Sequence, residues 1–516
     1  MNRAWDTIIV GAGHNGLVCA QMLASAGQSV LVLEAGAEVG GFAAPREFAP
    51  GFRASIAAQY LHQFSDALLR SLQLERHGLR FAATGLATTV LASGRHVRIA
   101  GDHVDGVSAE EATRWQQLDT RLARFAKFMA TVQSTMAPRL GSSDFQDRWT
   151  LLKMGLRLRL LGRREMREFL RIAGMNVYDL ATDELEDPLL QAALGMDAIL
   201  GSNFGPRAPG TVLTLLTRRA GEATTTGGYR LPIGGLGAFA QALASAATAA
   251  GATVRTDAPV AGIVIENDEV RGVDLANGER LSAARVVSSV DPRQTFLSLL
   301  GTEHLDTGFV RRVDHFRHRG ITAKWHLALD ALPTFTGLPS AQLGDRLVVA
   351  PSLNYLETAY NASKYGEVSV LPALEISIPT VHDRTLAPAG GHVLTAIVNY
   401  AAYDAKDDLG TAREKLEANA LAVLESVAPG IRSLIRSSEL LLPMDLERIC
   451  RVTGGHWHHG DLAFDQYLMV RPFPGAAQYQ TPIRGLYLCG AGSHPGGGLT
   501  GLPGRLAAEQ IQRTAP

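Results

Sequence analysis

Between residues 7 and 16 the chain reads Thr7-Ile8-Ile9-Val10-Gly11-Ala12-Gly13-His14-Asn15-Gly16, a short β-branched apolar run that passes without a linker into G-x-G-x-x-G. No other segment constrains the fold as strongly. The apolar run suits a central parallel strand, Leu17 to Ala26 reads as a helix, Gly27 as its stop, and Ser29 to Leu33 as a second buried strand ending at Glu34. That is a complete βαβ unit, so an α/β fold is expected. Gly11 permits the tight turn, Gly13 lets a pyrophosphate reach the backbone at the helix N-terminus, and Gly16 lets helix and strand pack closely. Glu34 is placed to accept from a ribose 2′-hydroxyl, and its charge repels a 2′-phosphate.

The far end of the chain mirrors this arrangement. Gly485 to Cys489 reads as a strand, Gly490 to Gly504 contains seven further glycines, and a helix is expected from Arg505 to Arg513. Glycine makes up 53 of 516 residues, about 10% against a typical ~7%, and the excess gathers at both termini and around 227–237. A third block follows there: Gly227 to Gly237, an Ala-rich helix stopping near Gly251, then strands at Val260 to Glu266, Val270 to Leu275 and Arg285 to Ser289, with Asn277-Gly278 as a hairpin-type turn.

Composition removes several function classes. With 49 basic and 50 acidic side chains, the chain lacks the charge excess of a nucleic-acid-wrapping protein. Cys19, Cys450 and Cys489 form neither a C-x-x-C pair nor a zinc-ligand spacing, so no metal is expected. Met1 to Asp6 lack the pattern of a secretory signal, and Leu236 to Val254, the longest uncharged stretch, is too poor in Leu, Ile and Phe for a bilayer core. The expected location is cytoplasmic.

The segments Asp6 to Gly16 and Glu34 to Gly41, the run Gly454-Gly455-His456-Trp457-His458-His459-Gly460-Asp461-Leu462 with Asp465-Gln466, and the closing Gly-Leu-Tyr-Leu-Cys-Gly-Ala-Gly-Ser-His-Pro-Gly-Gly-Gly together resemble the carotenoid and retinoid oxidoreductases. That family includes phytoene desaturases and carotene isomerases, and the resemblance is strongest to its branch labelled pyridine nucleotide-disulphide oxidoreductase domain-containing protein 2. The doublet Gly40-Gly41 is similar to the extension of glutathione-reductase-type FAD enzymes. The resemblance implies FAD as cofactor, held by Gly11, Gly13, His14, Asn15, Gly16, Glu34, Ala35, Gly40, Gly41, Val260, Gly490, Ala491, Gly492, Gly501 and Leu502. It also implies a discontinuous FAD-binding Rossmann domain (1–85, 228–300 and 446–516) with an inserted α+β substrate domain (86–227 and 301–445). His456 departs from the family, where a small polar residue is expected. No second strand with G-x-G-x-x-G is present to serve a nicotinamide cofactor.

Candidate catalytic residues are His494 in the closing glycine run, His459 as the family-matching histidine, and Tyr229 with Arg230 at a substrate channel. Tyr60 and His62 lie where the family's chain passes back near the flavin. The activity implied is desaturation, oxidation or isomerisation of a largely apolar, polyene or isoprenoid substrate by hydride exchange with the flavin. Two alternatives remain open: an amine-oxidase-like reaction on a small polar substrate, and an FAD-stabilised binding or assembly protein without turnover. The stretch 151–175, rich in Leu and Arg, suits either a helix in the plane of a membrane surface, admitting a lipophilic substrate, or a solvated helix with one buried face. The sequence sets no oligomeric state.

Overall fold

The computed structural model describes residues 5–514. Its first sheet is built on the strand Trp5–Val10, which pairs in parallel with Val30–Leu33 on one side and Arg280–Ser288 on the other. Thr253–Arg255 extends the first edge, and Leu486–Leu488 joins Arg280–Ser288, both in parallel. The hairpin strands Val260–Glu266 and Glu269–Leu275 then continue the sheet in antiparallel fashion. Five parallel strands drawn from both ends and the middle of the sequence therefore share one sheet. Ile8, Ile9, Val30 and Val32 are fully buried in it, and each such side chain contributes roughly 1.5–3 kcal/mol by leaving water.

The helices His14–Ser25, Gly235–Ala249 and Leu502–Thr514 cover one face of this sheet with a core of Leu17, Leu23, Phe239, Leu243, Leu506 and Ile511. The Ala-rich character of Gly235–Ala249 lets it lie close to its neighbours. The last helix begins at Leu502, three residues before the expected start, because Thr500 Oγ1 accepts the Leu502 N–H and Pro503 is preset for a first turn. The strand expected from Arg285 begins at Arg280, directly after the Asn277-Gly278 turn, where Leu275 N–H bonds Glu279 O.

A second, eight-stranded sheet runs in the order Ile435–Leu441, Thr322–Leu329, His392–Asn399, Leu374–Ser377, Arg346–Val349, Thr88–Ala92, Arg95–Ala100 and His103–Asp105. All its pairings are antiparallel except Arg346–Val349 with Thr88–Ala92. A helical layer, chiefly Ala109–Gln133, Pro188–Ile199 and Thr211–Glu222, packs on it through Leu118, Leu122, Leu190, Leu215 and Leu216. The two sheets are linked by the small pairing of Phe81–Leu86 with Tyr229–Pro232. The stretch 151–175 is two helices, Phe145–Leu160 and Arg163–Ala173, broken at Gly162 with φ +93°. The first starts six residues before the expected boundary because Asp144 caps it, accepting from Gln146 and Asp147 N–H. Among the described residues no helix is long and apolar enough to cross a membrane.

Candidate functional site

A cleft of about 610 Å³ opens along the carboxyl ends of the parallel strands and runs into the space beneath the second sheet. At its outer part the chain turns from Val10 into the helix His14–Ser25. Gly11 holds φ +95°, which a side chain would strain. A Cβ at Gly16 would lie 2.2 Å from Gly11 O, so only glycine lets helix and strand approach this closely. Gly13 is different: its missing Cβ would meet only Ser289 Oγ at 3.9 Å, and it leaves the helix N-terminus open to the cleft with no side-chain cap. The first-turn N–H groups lack intrahelical acceptors there, which suits an anion such as a pyrophosphate. Gly40 bonds back through its N–H to Ala12 O, laying the Gly40-Gly41 doublet beside the loop.

Glu34 ends its strand in the same cleft, its carboxylate accepting from Ala12 N–H at 2.8 Å and Gly36 N–H at 3.0 Å. Ala35 and Val260 line the wall next to it. Further in, the buried atoms His14 Nε2, Asn15 Oδ1, His62 Nε2, His458 Nδ1 and His459 Nδ1 have no hydrogen-bond partner within the chain. Polar atoms buried without partners cost about 1–3 kcal/mol each, so their gathering in one cleft fits a bound polar group. The glycine turn, the open helix end, the ribose-placed carboxylate and these atoms together fit FAD.

The structure separates the residues expected to hold FAD into two sets. Gly11, Gly13, His14, Asn15, Glu34, Ala35, Gly40, Gly41, Val260 and Ala491 line the cleft. Gly16, Gly490, Gly492, Gly501 and Leu502 lie behind it. A Cβ at Gly490 would meet Ser289 O at 2.5 Å, one at Gly492 would meet Pro292 Cδ at 2.5 Å, and one at Gly501 would meet Phe64 Cε2 at 2.8 Å. These glycines shape the wall by permitting close packing. The cleft wall in that segment is supplied by Ala491, Gly498 and Leu499.

Of the catalytic candidates, His459 faces the cleft with φ +54°, a left-handed conformation held by its surroundings. Burial pushes its imidazole down to about 4, and burial followed by the neighbouring His459 does the same to His14. Both rings are therefore neutral near pH 7. His494 is buried away from the cleft, its ring nitrogens 3.3 Å from Leu468 O and 3.1 Å from Thr135 O. Its ring spans two backbone carbonyls. Tyr229 sits one layer behind the cleft wall, its hydroxyl accepting from Arg218 at 2.8 Å and its ring stacked on His62 at 4.8 Å. Tyr60 and His62 line the cleft. Arg230 is buried in hydrogen bonds to Leu61 O and Phe64 O and an ion pair with Asp66.

His456 accepts from His458 N–H on Nδ1, which leaves Nε2 as the donor to Asp461 at 3.0 Å. It pins the loop that presents His458 and His459. Arg471, fully buried, completes that frame by donating to the carbonyls of Ala491, Asp461, Gln466, His458 and Gly460. Burial lowers even this guanidinium to about 10.

The inner end of the cleft contains residues the motifs do not reveal. Gln59 donates to Glu375 O at 3.0 Å and accepts from Lys324 Nζ at 2.6 Å. Arg346 pairs with Asp197 at 2.7 Å, and Arg218 stands 3.4 Å from Asp197 and 3.8 Å from Glu375. Gln59, Glu375 and Arg218 line the cleft itself. One signal was legible for Lys324: it interrupts Thr322–Leu329, a strand in which every residue is buried. The helix Pro443–Cys450 adds Arg448 and Cys450 to the outer wall, and burial pushes the Cys450 thiol up to about 12. Cys19 and Cys489 are fully buried in the core of the first sheet, and the hydrogen bond between them holds the Cys19 thiol well above its ordinary range.

The sequence matches the family described as flavin containing amine oxidoreductase over residues 16–511. It is 31% identical to pyridine nucleotide-disulfide oxidoreductase domain-containing protein 2 of Mus musculus, across 99% of this chain and 93% of that protein. It is 25% identical to the chloroplastic prolycopene isomerase of Daucus carota, across 96% of this chain and 78% of that protein. An oxidoreductase from Methanosarcina mazei has a similar fold, with a TM-score of 0.59 and 19% identity over 98% of this chain and 100% of that one. Since the family match runs from within the helix behind the glycine turn through the second sheet and the histidine loop into the last helix, the chain belongs to the flavin-containing amine oxidoreductases and is an FAD-dependent oxidoreductase.

Proposed function

We propose that the chain exchanges hydride with a neutral, largely apolar substrate of the terpenoid or polyene kind. The observation that carries this reading is the arrangement of rings and guanidinium groups at the inner end of the cleft. Tyr60 and Tyr229 meet edge to face, 5.4 Å apart at 79°, so they offer no parallel pair of ring faces to an ammonium group. Tyr229 is already stacked on His62, with the guanidinium groups of Arg346 and Arg218 at 5.0 and 5.6 Å from its ring centre. Both guanidinium groups are held by Asp197 and Glu375, so these carboxylates are already paired and the inner end of the cleft does not offer them to a protonated amine.

FAD supplies, when bound, the ring that takes up or returns the hydride. The chain's own part is to hold the substrate and exclude water. Leu200, Ile397, Leu499, Phe42 and Trp457 give the cleft apolar walls. His62 Nε2, buried without a partner and left as an acceptor because Nδ1 faces Tyr60 O, can accept from a single hydroxyl of the substrate. His14 and His459 are neutral at physiological pH and orient by hydrogen bonding rather than by charge. A relative named for a polyene, prolycopene isomerase, supports the same reading.

The test is anaerobic mixing of the FAD-loaded protein with two panels, terpenoid or polyene compounds in detergent and primary or secondary amines. Oxidised protein should lose its flavin colour with a member of the first panel, or the chemically reduced protein should isomerise one. Bleaching by an amine, or no reaction in either arm, contradicts the proposal.

A further inference from the structure

The helix Phe145–Leu160 has two apolar faces on opposite sides. Leu151, Met154 and Leu158 turn half-buried toward the protein, where Leu158 packs on the helical core. Asp147 pins this side by accepting from Arg139 Nε at 2.9 Å and Gln478 Nε2 at 2.8 Å. On the other side, Phe145, Trp149, Leu152, Leu156 and Leu160 recur every three or four residues and fall within an arc of roughly 80°. All five are exposed, from 46% for Trp149 to 77% for Phe145. The stripe is open to solvent, with the rings of Phe145 and Trp149 parallel to within 9°.

Cations border the stripe on both sides. By helical position Arg148 and Arg159 lie along one edge, Lys153 and Arg157 along the other, and Arg163, Arg164 and Arg167 continue the charge beyond Gly162. All seven are exposed, and among the described residues none forms an ion pair, although Lys153 lies over the Trp149 ring at 5.2 Å. The neighbouring Arg171, by contrast, is paired with Glu168 at 2.7 Å.

We propose that this face docks the protein on an anionic lipid surface. The helix lies in the interfacial plane, its five apolar side chains enter between headgroups, and the seven cations meet lipid phosphates and carboxylates. Large exposed apolar side chains bordered by long unpaired cations match such a surface in both chemistry and sign. A second copy of the chain fits less well: a two-fold contact through this face would set the same cations against each other. Attachment is peripheral, since no helix among the described residues can span a membrane. Residues 145–171 do not line the cleft, so docking and cofactor binding are separable.

The experiment is co-sedimentation of the full-length, FAD-loaded protein with phosphatidylcholine vesicles, with and without about one-third phosphatidylserine, at low and high salt. One variant carries Arg148→Gln, Lys153→Gln, Arg157→Gln and Arg159→Gln, and a second carries Phe145→Ser, Trp149→Ser and Leu156→Ser. All these side chains are exposed, so folding and FAD content should be retained. Wild-type protein should bind the anionic vesicles at least about tenfold more tightly than the neutral ones and be released by salt. With about fivefold in affinity per cation near the surface, the charge variant should bind at least about a hundredfold more weakly, and the apolar variant should lose binding as well. The proposal is overturned if wild-type protein ignores anionic vesicles at low salt, or if either variant binds as wild type does. It is overturned equally if size-exclusion chromatography shows a dimer that the apolar variant dissociates.

Discussion

Lys324 Nζ, fully buried in the second sheet, donates to Gln59 Oε1 at 2.6 Å, and Gln59 carries that contact to the cleft wall. Burial lowers the Lys324 amine from 10.5 to about 7, with Glu375 opposing the shift. Between these values the unfolded chain holds a proton that the folded one has released, so the contribution of this group to stability rises with pH from about 7 to about 10.5. Lys324→Met abolishes that slope. In chemical denaturation at about pH 6 and about pH 9, wild type should gain stability relative to the variant at the higher pH. An equal difference at both pH values would place the amine near its ordinary value.

Gly13 and Gly16 should fail in different ways. At Gly13 the backbone is ordinary and the space is the cleft, so Gly13→Val should fold but retain no FAD. At Gly16 a Cβ would press on Gly11 O, so Gly16→Val should lose at least about 1–3 kcal/mol of stability by overpacking. Stoichiometric FAD in purified Gly13→Val protein would show that the helix end is not the pyrophosphate site.

The two histidines once equivalent as candidates should also separate. His459→Ala and His14→Ala change groups facing the cleft and should alter the visible spectrum of the bound flavin. His494→Ala removes a bridge between Leu468 O and Thr135 O and should lower the melting temperature while leaving the spectrum in place. A flavin spectrum altered only by His494→Ala would reverse these roles.

Arg471→Lys should be costly despite keeping the charge. An ammonium has three donors and cannot serve five carbonyls in the guanidinium plane. A loss of at least about 3 kcal/mol is expected, since hydrogen bonds to charged groups contribute about 1.5–3 kcal/mol each. Denaturant titration checks it, and a change below about 1 kcal/mol contradicts the account.

What the sequence made legible was local. The turn at Gly11, the helix behind it and Glu34 lie within one continuous segment, where backbone conformation and residue type specify each other. The inner end of the cleft was not legible because its partners are far apart: Lys324 and Gln59 are separated by 265 positions and Arg346 and Thr88 by 258. Hydrogen bonds of that reach leave no periodic trace. The exposed stripe on Phe145–Leu160 was hidden for a different reason, since its apolar face and the half-buried face opposite cancel in any search for a single amphipathic side. His494 was misleading because its motif neighbours face the cofactor space while its own ring turns into the helical layer.

The central claim is that the glycine turn, Glu34 and the histidine loop enclose one dinucleotide, and the most direct measurement is the identity and amount of cofactor released by heat from the purified protein. One FAD per chain is expected, with no flavin reduction when NADH or NADPH is added anaerobically. A protein that is colourless and takes up no FAD on reconstitution, or whose flavin is rapidly bleached by either nicotinamide, would contradict it.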